Sequence, residues 1–376
     1  MSFDFPNSPT NGQVFAPTGG PVYVYTGGVW RMQGSGQVVT AEARNRLVNP
    51  AFQIRQEYDQ LLSALGGYYP ADQWMFSHPG PNGYWTYGPV ASPTPNGSPI
   101  RLRMTCVTPK GSLAAADFVT LRQYIEGLRV SDFGWGTAAA KPIVIRFGFK
   151  GPAGTYSVNV FNSPTGNRTY VAQFTITAAQ ANTDTEQIVA IPGDTTGTWV
   201  TTNAASIALL FTLAAGSNFV GSLGWNASNV LIAAGNSNGW AAAGVFEIFD
   251  VGLHLDRNGT GVPPPWEMPD EPEEFRLCQR YFCKADIDQT YHGLVASVTQ
   301  WYEAVRFPVT MRANPTMSGG TMTGAIYNQA GAVSNAATLT MSAQSVTAGR
   351  VNVSFTGTSI TGMVPQAQAI SATARM

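Results

Sequence analysis

KPIVIRFGFK (residues 141–150), GPAG (151–154), TYSVNVFN (155–162), SPTGN (163–167) and RTYVAQFTI (168–176) run on without a break. Three segments of period-two alternation are separated by two clusters of turn-forming residues, which reads as a β-meander. Ile143, Ile145, Phe147 and Phe149 share one face, as do Tyr156, Val158 and Val160, then Tyr170, Ala172, Phe174 and Ile176. Arg146, Lys150, Ser157, Asn159, Thr169, Gln173 and Thr175 occupy the opposite face, which water can satisfy. Burying each large apolar side chain contributes roughly 1.5–3 kcal/mol, enough in sum to anchor a domain. No residue here offers chemistry.

Outward from this stretch the alternation recurs. Residues 99–109, 186–191, 206–213 and 246–255 read as further strands, the last with a slip near Ile248 and Phe249 that predicts a bulge. Residues 114–128 place Phe118, Leu121, Ile125 and Leu128 at helical spacing and are expected to form the one short helix. Around Asn49-Pro50 two readings compete: a helix over 51–65, or a first sandwich strand over 47–54, which is preferred. About eight short strands with turn signals between them predict a mainly β protein whose body is a jelly-roll sandwich.

The flanks differ in character. Near the N-terminus, residues 22–25 and 29–32 read as a hairpin turning on Gly27-Gly28. A lone hairpin is marginal in water, so an anchoring role is expected, with Phe5, Pro6, Tyr23, Tyr25 and Trp30 as the docking residues. Residues 257–274 are rich in Pro and acidic side chains and read as a stiff, extended connector. Beyond it a Thr/Ser-alternating module, including ATLTMSA and RVNVSF, predicts a small β domain. The expected organisation is an attachment segment over 1–46, a sandwich over 47–256, the linker over 257–274 and a C-terminal domain over 275–376, a candidate receptor-binding tip. The sparsely charged tail, 360–376, is suited to burial against a sister chain.

Composition narrows the function. Only 11% of the 376 residues are charged, and Lys plus Arg number 21 against 22 acids, so there is no basic field to attract nucleic acid. No apolar run approaches a membrane span, and residues 1–12 lack a signal-peptide pattern, which predicts synthesis in the cytoplasm and no membrane insertion. Cys106, Cys278 and Cys283 are too few for a disulfide framework, though Cys278 and Cys283 lie close enough to pair. His78, His254 and His292 are scattered, no metal-ligand spacing occurs, and protease, nucleotidase and esterase motifs are missing, so no cofactor or metal is expected. Asp184, Asp194 and Asp256 lack the ligand series of a calcium loop. Acids for polysaccharide hydrolysis would have to come from Asp117, Glu126 and Asp132, or Glu247 and Asp250. The aromatic residues 68–87 fit either a sugar platform or core packing; Trp74, Tyr84, Trp85, Trp225 and Trp240 are the stacking candidates.

Several motifs occur in a telling order. F-P-x-S-P-x-x-G-Q (5–13) precedes Gly27-Gly28-Val29-Trp30; Ile125-Glu126-Gly127-Leu128 precedes Phe133-Gly134-Trp135-Gly136-Thr137; then come the 141–149 strand, Gly154-Thr155-Tyr156-Ser157-Val158, Arg168-Thr169-Tyr170-Val171 and Pro192-Gly193-Asp194-Thr195-Thr196-Gly197-Thr198-Trp199. EFRLCQRYF (274–282) and Arg306-Phe307-Pro308 with Met311-Arg312-Ala313-Asn314-Pro315 follow. This order resembles tailed-bacteriophage tail fibres and related virion appendages, with Phe275 where Leu is usual. The resemblance covers nearly the whole chain and specifies architecture more than activity. It implies a non-enzymatic structural component of the virion, assembled in the host cytoplasm, homotrimeric, joined through its N-terminus to tail or capsid proteins and contacting host cell-surface polysaccharide. A carbohydrate-binding module or a polysaccharide depolymerase of a phage tail is the alternative.

Overall fold

The computed structural model describes residues 5–17, 22–26, 28–32, 40–58, 60–64, 66–163, 166–287, 294–297, 300–319, 324–328, 331–334, 337–343, 345–355, 362–365 and 368–376. The chain is mainly β, as its alternation predicts. At the N-terminus β1 (Val14–Phe15), β2 (Tyr23–Thr26) and β3 (Val29–Met32) pair antiparallel, so the expected hairpin gains a third strand. Gly28 sits at φ 85 in its turn; Gly27 lies outside the described residues.

The body is a sandwich of two antiparallel sheets. Its strands are β4 (Tyr68–Ala71), β5 (Trp74–Ser77), β6 (Trp85–Ala91), β7 (Ile100–Cys106), β8 (Phe118–Glu126), β9 (Ile143–Lys150), β10 (Gly154–Asn162), β11 (Thr169–Ile176), β12 (Thr185–Ile191) and β13 (Ala205–Ala215). An excursion carrying β14 (Val220–Gly221), β15 (Gly224–Asn226) and β16 (Ile232–Ala233) precedes β17 (Gly244–Leu255). One sheet has the order β15-β11-β10-β13-β8-β5-β4 and the other β12-β9-β17-β7-β6. Between them lies a single apolar core that includes Ile143, Ile145, Phe147, Phe149, Tyr156, Val158, Val160 and Phe174, the inward faces read from the sequence.

Several expectations need correction. The three strands of the opening stretch are not a meander: β10 pairs with β11, but β9 crosses to the opposite sheet between β12 and β17. Their outer faces are only partly solvated: Thr175 is exposed and Lys150 and Gln173 are half-buried, but Arg146, Ser157, Asn159 and Thr169 are buried beneath other parts of the chain. The helix expected over 114–128 is instead β8, whose Val119, Leu121 and Ile125 alternate into the core; one helical turn, α1 (Gly127–Val130), follows it. Residues 47–54 form neither strand nor helix. They make a buried irregular turn in which Asn49 and Phe52 adopt positive φ, and the Asn49 side chain bonds the Ile54 N–H, the Ile54 carbonyl and the Asp72 carbonyl. The predicted bulge in β17 is present: register shifts between Phe249 and Gly252, with Asp250 at φ 51.

The linker is not a free spacer. Pro263 and Pro264 are buried, Arg146 donates to the Pro264 carbonyl, and Trp266 donates to Ser98. Its acidic end starts a helix, α2 (Glu271–Gln279), capped by the Asp270 carboxylate accepting from the Glu273 N–H. Glu271, Glu273 and Glu274 therefore lie in its first turn, where the helix dipole favours negative charge.

The C-terminal part is β, as expected. Its strands are β18 (Phe282–Ile287), β19 (Leu294–Ser297), β20 (Gln300–Arg306), β21 (Thr316–Gly319), β22 (Gly324–Asn328), β23 (Gly331–Ser334), β24 (Ala337–Ala343), β25 (Ala348–Phe355), β26 (Gly362–Pro365) and β27 (Gln368–Thr373). They form sheets β18-β27-β21, β19-β20-β25-β24 and β23-β22-β26. The described part of the tail is thus paired inside its own chain, with β27 central in its sheet and Ala372 and Ala374 buried. Residues 356–361 and 366–367 of that region, like His292, lie outside the described residues.

Candidate functional site

The sequence of β8, FVTLRQYIE, sets one row of side chains into the core and the other outward. Val119, Leu121 and Ile125 face in, together with Gln123, whose amide is satisfied by the Val48 N–H and carbonyl. Phe118, Thr120, Arg122 and Tyr124 face the other way. The same alternation in β13 turns Ala208 and Leu210 outward, and in β10 Asn159 and Phe161; register aligns Tyr124 with Ala208 and Phe161, and Arg122 with Leu210 and Asn159.

An outward face this apolar needs cover. The excursion after β13 supplies part of it, with Leu231 and Ile232 packing with Ala208, Leu210, Phe118, Phe161 and Phe219. Leu231 donates its N–H to the Phe219 carbonyl at 2.8 Å, and β14 pairs parallel with β16. The Phe118 and Phe219 rings meet edge-on at 5.8 Å.

Cover is incomplete, leaving a cavity of about 220 Å³ between the sheet and the excursion. The sheet contributes Phe118, Thr120, Arg122, Tyr124, Phe161 and Leu210; Phe219, Asn229 and Leu231 come from the excursion. Arg122 lies 6.0 Å from the Phe118 ring centroid and reaches the Tyr124 hydroxyl and the Thr120 hydroxyl, each at 3.3 Å. Among the described residues its Nε has no acceptor. Aromatic faces beside a few convergent polar groups are what a small-molecule or saccharide site requires.

A smaller cavity of about 170 Å³ lies beside Phe133, Trp135 and Trp199. Trp135, Trp199 and Trp225 meet edge-on at 4.8–6.0 Å. Their indole N–H groups point into the chain, to the carbonyls of Lys141, Thr196 and Pro192 respectively. Arg168 lies over Trp225 and pairs with Asp194. Burial alone would raise the Asp194 carboxyl, but hydrogen bonds from Arg168 and Thr196 outweigh it and hold it below the usual range. This is a structural cluster.

The stacking residues expected from the sequence do not converge on either cavity's mouth. Trp74, Trp85 and Trp240 are fully buried, so no ring face is left for a sugar. Trp74 donates to the Asn49 carbonyl, and Trp240 to that of Thr108. Tyr84 is half-buried against Trp240, and Trp225 belongs to the tryptophan cluster. Helical spacing over 114–128 assigns Phe118 to a helix face, and neither that spacing nor alternation marks Tyr124, Phe161 or Phe219 as a cavity lining.

At the N-terminus Phe5 stacks on Trp30 at 5.4 Å and meets Tyr23 edge-on at 4.8 Å, while Tyr25 lies 5.4 Å from Trp30. Pro6 adjoins them, and all five anchoring candidates are half-buried.

The candidate acids are each engaged by partners. Asp117 pairs with Lys110, Glu126 with Arg280, Asp132 with Arg46, and Glu247 with Arg101 and Arg103; Asp250 accepts from Thr94 and Asn96. Asp184 pairs with Arg101, and Asp256 accepts from the Gly261 N–H. Among the described residues no group of three or more His, Cys, Asp or Glu is placed to hold a metal, and no helix is long and apolar enough to cross a membrane. The three cysteines are free thiols, so Cys278 and Cys283 do not pair; burial pushes the Cys283 thiol up to about 11.

No family model matches the chain, and no curated protein does. Solved structures with a likeness include the enzymatically active domain of bacteriophage CBA120 tailspike protein 4, at 12% identity and a TM-score of 0.31, over 56% of this chain and 21% of that one. TmCBM61 in complex with β-1,4-galactotriose gives 14% identity and 0.29, over 57% of this chain and 99% of its own. The Clostridium thermocellum xylanase 10B modules complexed with xylohexaose give 15% and 0.28, over 58% and 29%. The chain thus spans about a fifth of the tailspike domain it matches. At such scores the likeness is loose, and function rests on the chemistry of the site.

Proposed function

We propose that this protein is a non-catalytic binding component of a bacteriophage virion, a tail fibre or a related tail- or head-attached fibre, that contacts host-surface polysaccharide. The observation that carries the binding role is the aromatic cavity on the outer face of β8, β10 and β13, where Phe118, Tyr124, Phe161 and Phe219 surround a space of about 220 Å³. The engagement of each candidate acid by cations or hydroxyls supports binding without hydrolysis. The order of motifs shared with phage appendages supports the virion role. The clustered aromatic residues of the N-terminal three-stranded sheet support docking there on tail or capsid proteins, and assembly of three copies into one fibre is what the resemblance to phage appendages implies.

Affinity electrophoresis of the full chain against a panel of host capsule and lipopolysaccharide preparations tests the binding role. Tyr124→Ala is expected to weaken retention by about thirtyfold, since a central aromatic contact is worth about 2 kcal/mol, with the melting temperature little changed. No retention on any glycan would sink the reading, as would release of new reducing ends its non-catalytic part. Sedimentation as a stable monomer, together with absence from purified particles, would remove the fibre role.

A further inference from the structure

Arg122 differs from the other arginines packed into this sandwich. Arg46 pairs with Asp132, Arg101 with Asp184 and Glu247, Arg168 with Asp194, and Arg280 with Glu126. Arg129 donates to the carbonyls of Arg46 and Leu47. Among the described residues Arg122 reaches two neutral hydroxyls, both at the long distance of 3.3 Å, and no carboxylate, and its Nε has no acceptor. The cavity it lines includes no carboxylate among its described residues.

A guanidinium stays charged at any working pH, and its planar fork matches a carboxylate through two parallel hydrogen bonds. Half-buried among phenyl rings, with no carboxylate among the described residues that line the cavity, its field is less screened than at an open surface. A neutral sugar hydroxyl would give Arg122 little beyond what Tyr124 and Thr120 already provide. An anionic group would give it the missing partner.

From this we infer that the cavity takes an acidic saccharide, a uronate-bearing polysaccharide whose carboxylate pairs with Arg122 while the sugar lies against the surrounding aromatic rings. The inference rests on the glycan-binding reading above and names its ligand class. Arg122 is the specificity-determining residue, and the aromatic residues supply the sequence-independent part of the affinity.

The test uses the full chain with alginate, polygalacturonate and hyaluronate, each beside its carboxyl-reduced counterpart, and with dextran sulfate, binding being followed by calorimetry at low and high salt. The wild-type chain should bind at least one native polymer about tenfold or more tightly than its reduced form, as expected for a charge-assisted pair, and the preference should shrink with salt. Arg122→Gln should abolish the preference while leaving the weak neutral affinity, and Arg122→Lys should restore part of it. Equal binding to native and reduced polymers overturns the acidic-ligand inference and leaves glycan binding standing. A sulfated glycan bound in preference to every uronate overturns the carboxylate in favour of a sulfate ester. Failure to bind any polymer, native or reduced, overturns this inference, and glycan binding itself falls only if the host-glycan panel above is also negative. Comparing native with reduced polymer on the wild type keeps the test decisive even if the Arg122 variants misfold.

Discussion

Replacing Trp240 by alanine separates a core role from a binding role, because composition alone nominates this residue as a stacking platform and its position argues otherwise. Its side chain is fully buried, its ring lies 6.2 Å from both Tyr84 and Trp85 and 6.0 Å from His78, and its Nε1–H donates to the Thr108 carbonyl at 3.0 Å. Gly80 packs directly on the indole, where an added Cβ would come within 2.8 Å of it. Aromatic-to-alanine changes in cores cost about 3–5 kcal/mol, and the lost hydrogen bond adds about 1 kcal/mol. For a domain of this size each kcal/mol lowers the melting temperature by about 2–4 °C, so a fall of order 10–20 °C is expected. Thermal unfolding by near-UV circular dichroism measures that fall, and glycan retention well below the transition measures binding by the folded fraction. Trp240→Ala should melt early yet bind normally when folded, the reverse of Tyr124→Ala. A variant that melts within about 2 °C of the wild type but no longer retains glycan would refute the placement of Trp240 in the core and return it to the binding surface.

Acid should weaken the fold through His254. Burial, with Arg146 and Arg46 nearby, lowers this imidazole to about 4, while its Nδ1 faces the Glu42 carbonyl at 3.0 Å. The unfolded chain therefore takes up the proton first as pH falls below about 6.5, and stability is lost between about 6.5 and 4, by about 3 kcal/mol in all. His254→Gln should show a shallower decline in urea midpoint over that window, and parallel curves would count against it. A second expectation concerns the seam between α2 and the sandwich, where Arg280 bonds the almost fully buried Glu126. Arg280→Met should cost about 3–5 kcal/mol in urea unfolding by stranding that carboxylate, and replacing both residues by methionine should recover most of it; a double variant no more stable than the single one would contradict the account.

The alternation of β9, β10, β11, β13 and β17 was legible because period two marks which side chains leave water, and the core contains those residues. Alternation says which face a residue takes but not which strand lies beside it. That is why β9 was expected next to β10 and lies in the other sheet. Over 114–128 the positions Phe118, Leu121, Ile125 and Leu128 satisfy a helical template by count, yet Val119, Thr120 and Ile125 are β-branched, and the alternate residues Val119, Leu121, Gln123 and Ile125 are buried toward the core side. Residues 40–54 form no regular element, so neither the strand nor the helix read from their sequence is present. Their conformation is fixed by distant partners: Asn45 bonds the Leu253 N–H and the Val251 carbonyl, and Gln123 bonds both backbone groups of Val48.

The cavity was hidden for a related reason, and that reason bears on how it works. Residues turned away from a sandwich core are ordinarily assigned to water, but here both outer faces are dressed by the chain itself. The strap through Ala41, Val262 and Pro264 covers the β9 side, and the excursion after β13 covers the β10, β11 and β13 side. Aromatic residues on such a face are stable only where something packs on them. The excursion reaches Phe118, Phe161 and Leu210 yet, among the described residues, leaves Arg122 with the Tyr124 and Thr120 hydroxyls. A ligand entering there meets rings already held in place by β8, β10, β13 and the Phe219–Leu231 hydrogen bond, so little ordering entropy opposes binding. Among the described residues that line the cavity the guanidinium Nε is the buried polar atom left without a partner, which makes charge, more than shape, the expected basis of selectivity at this site.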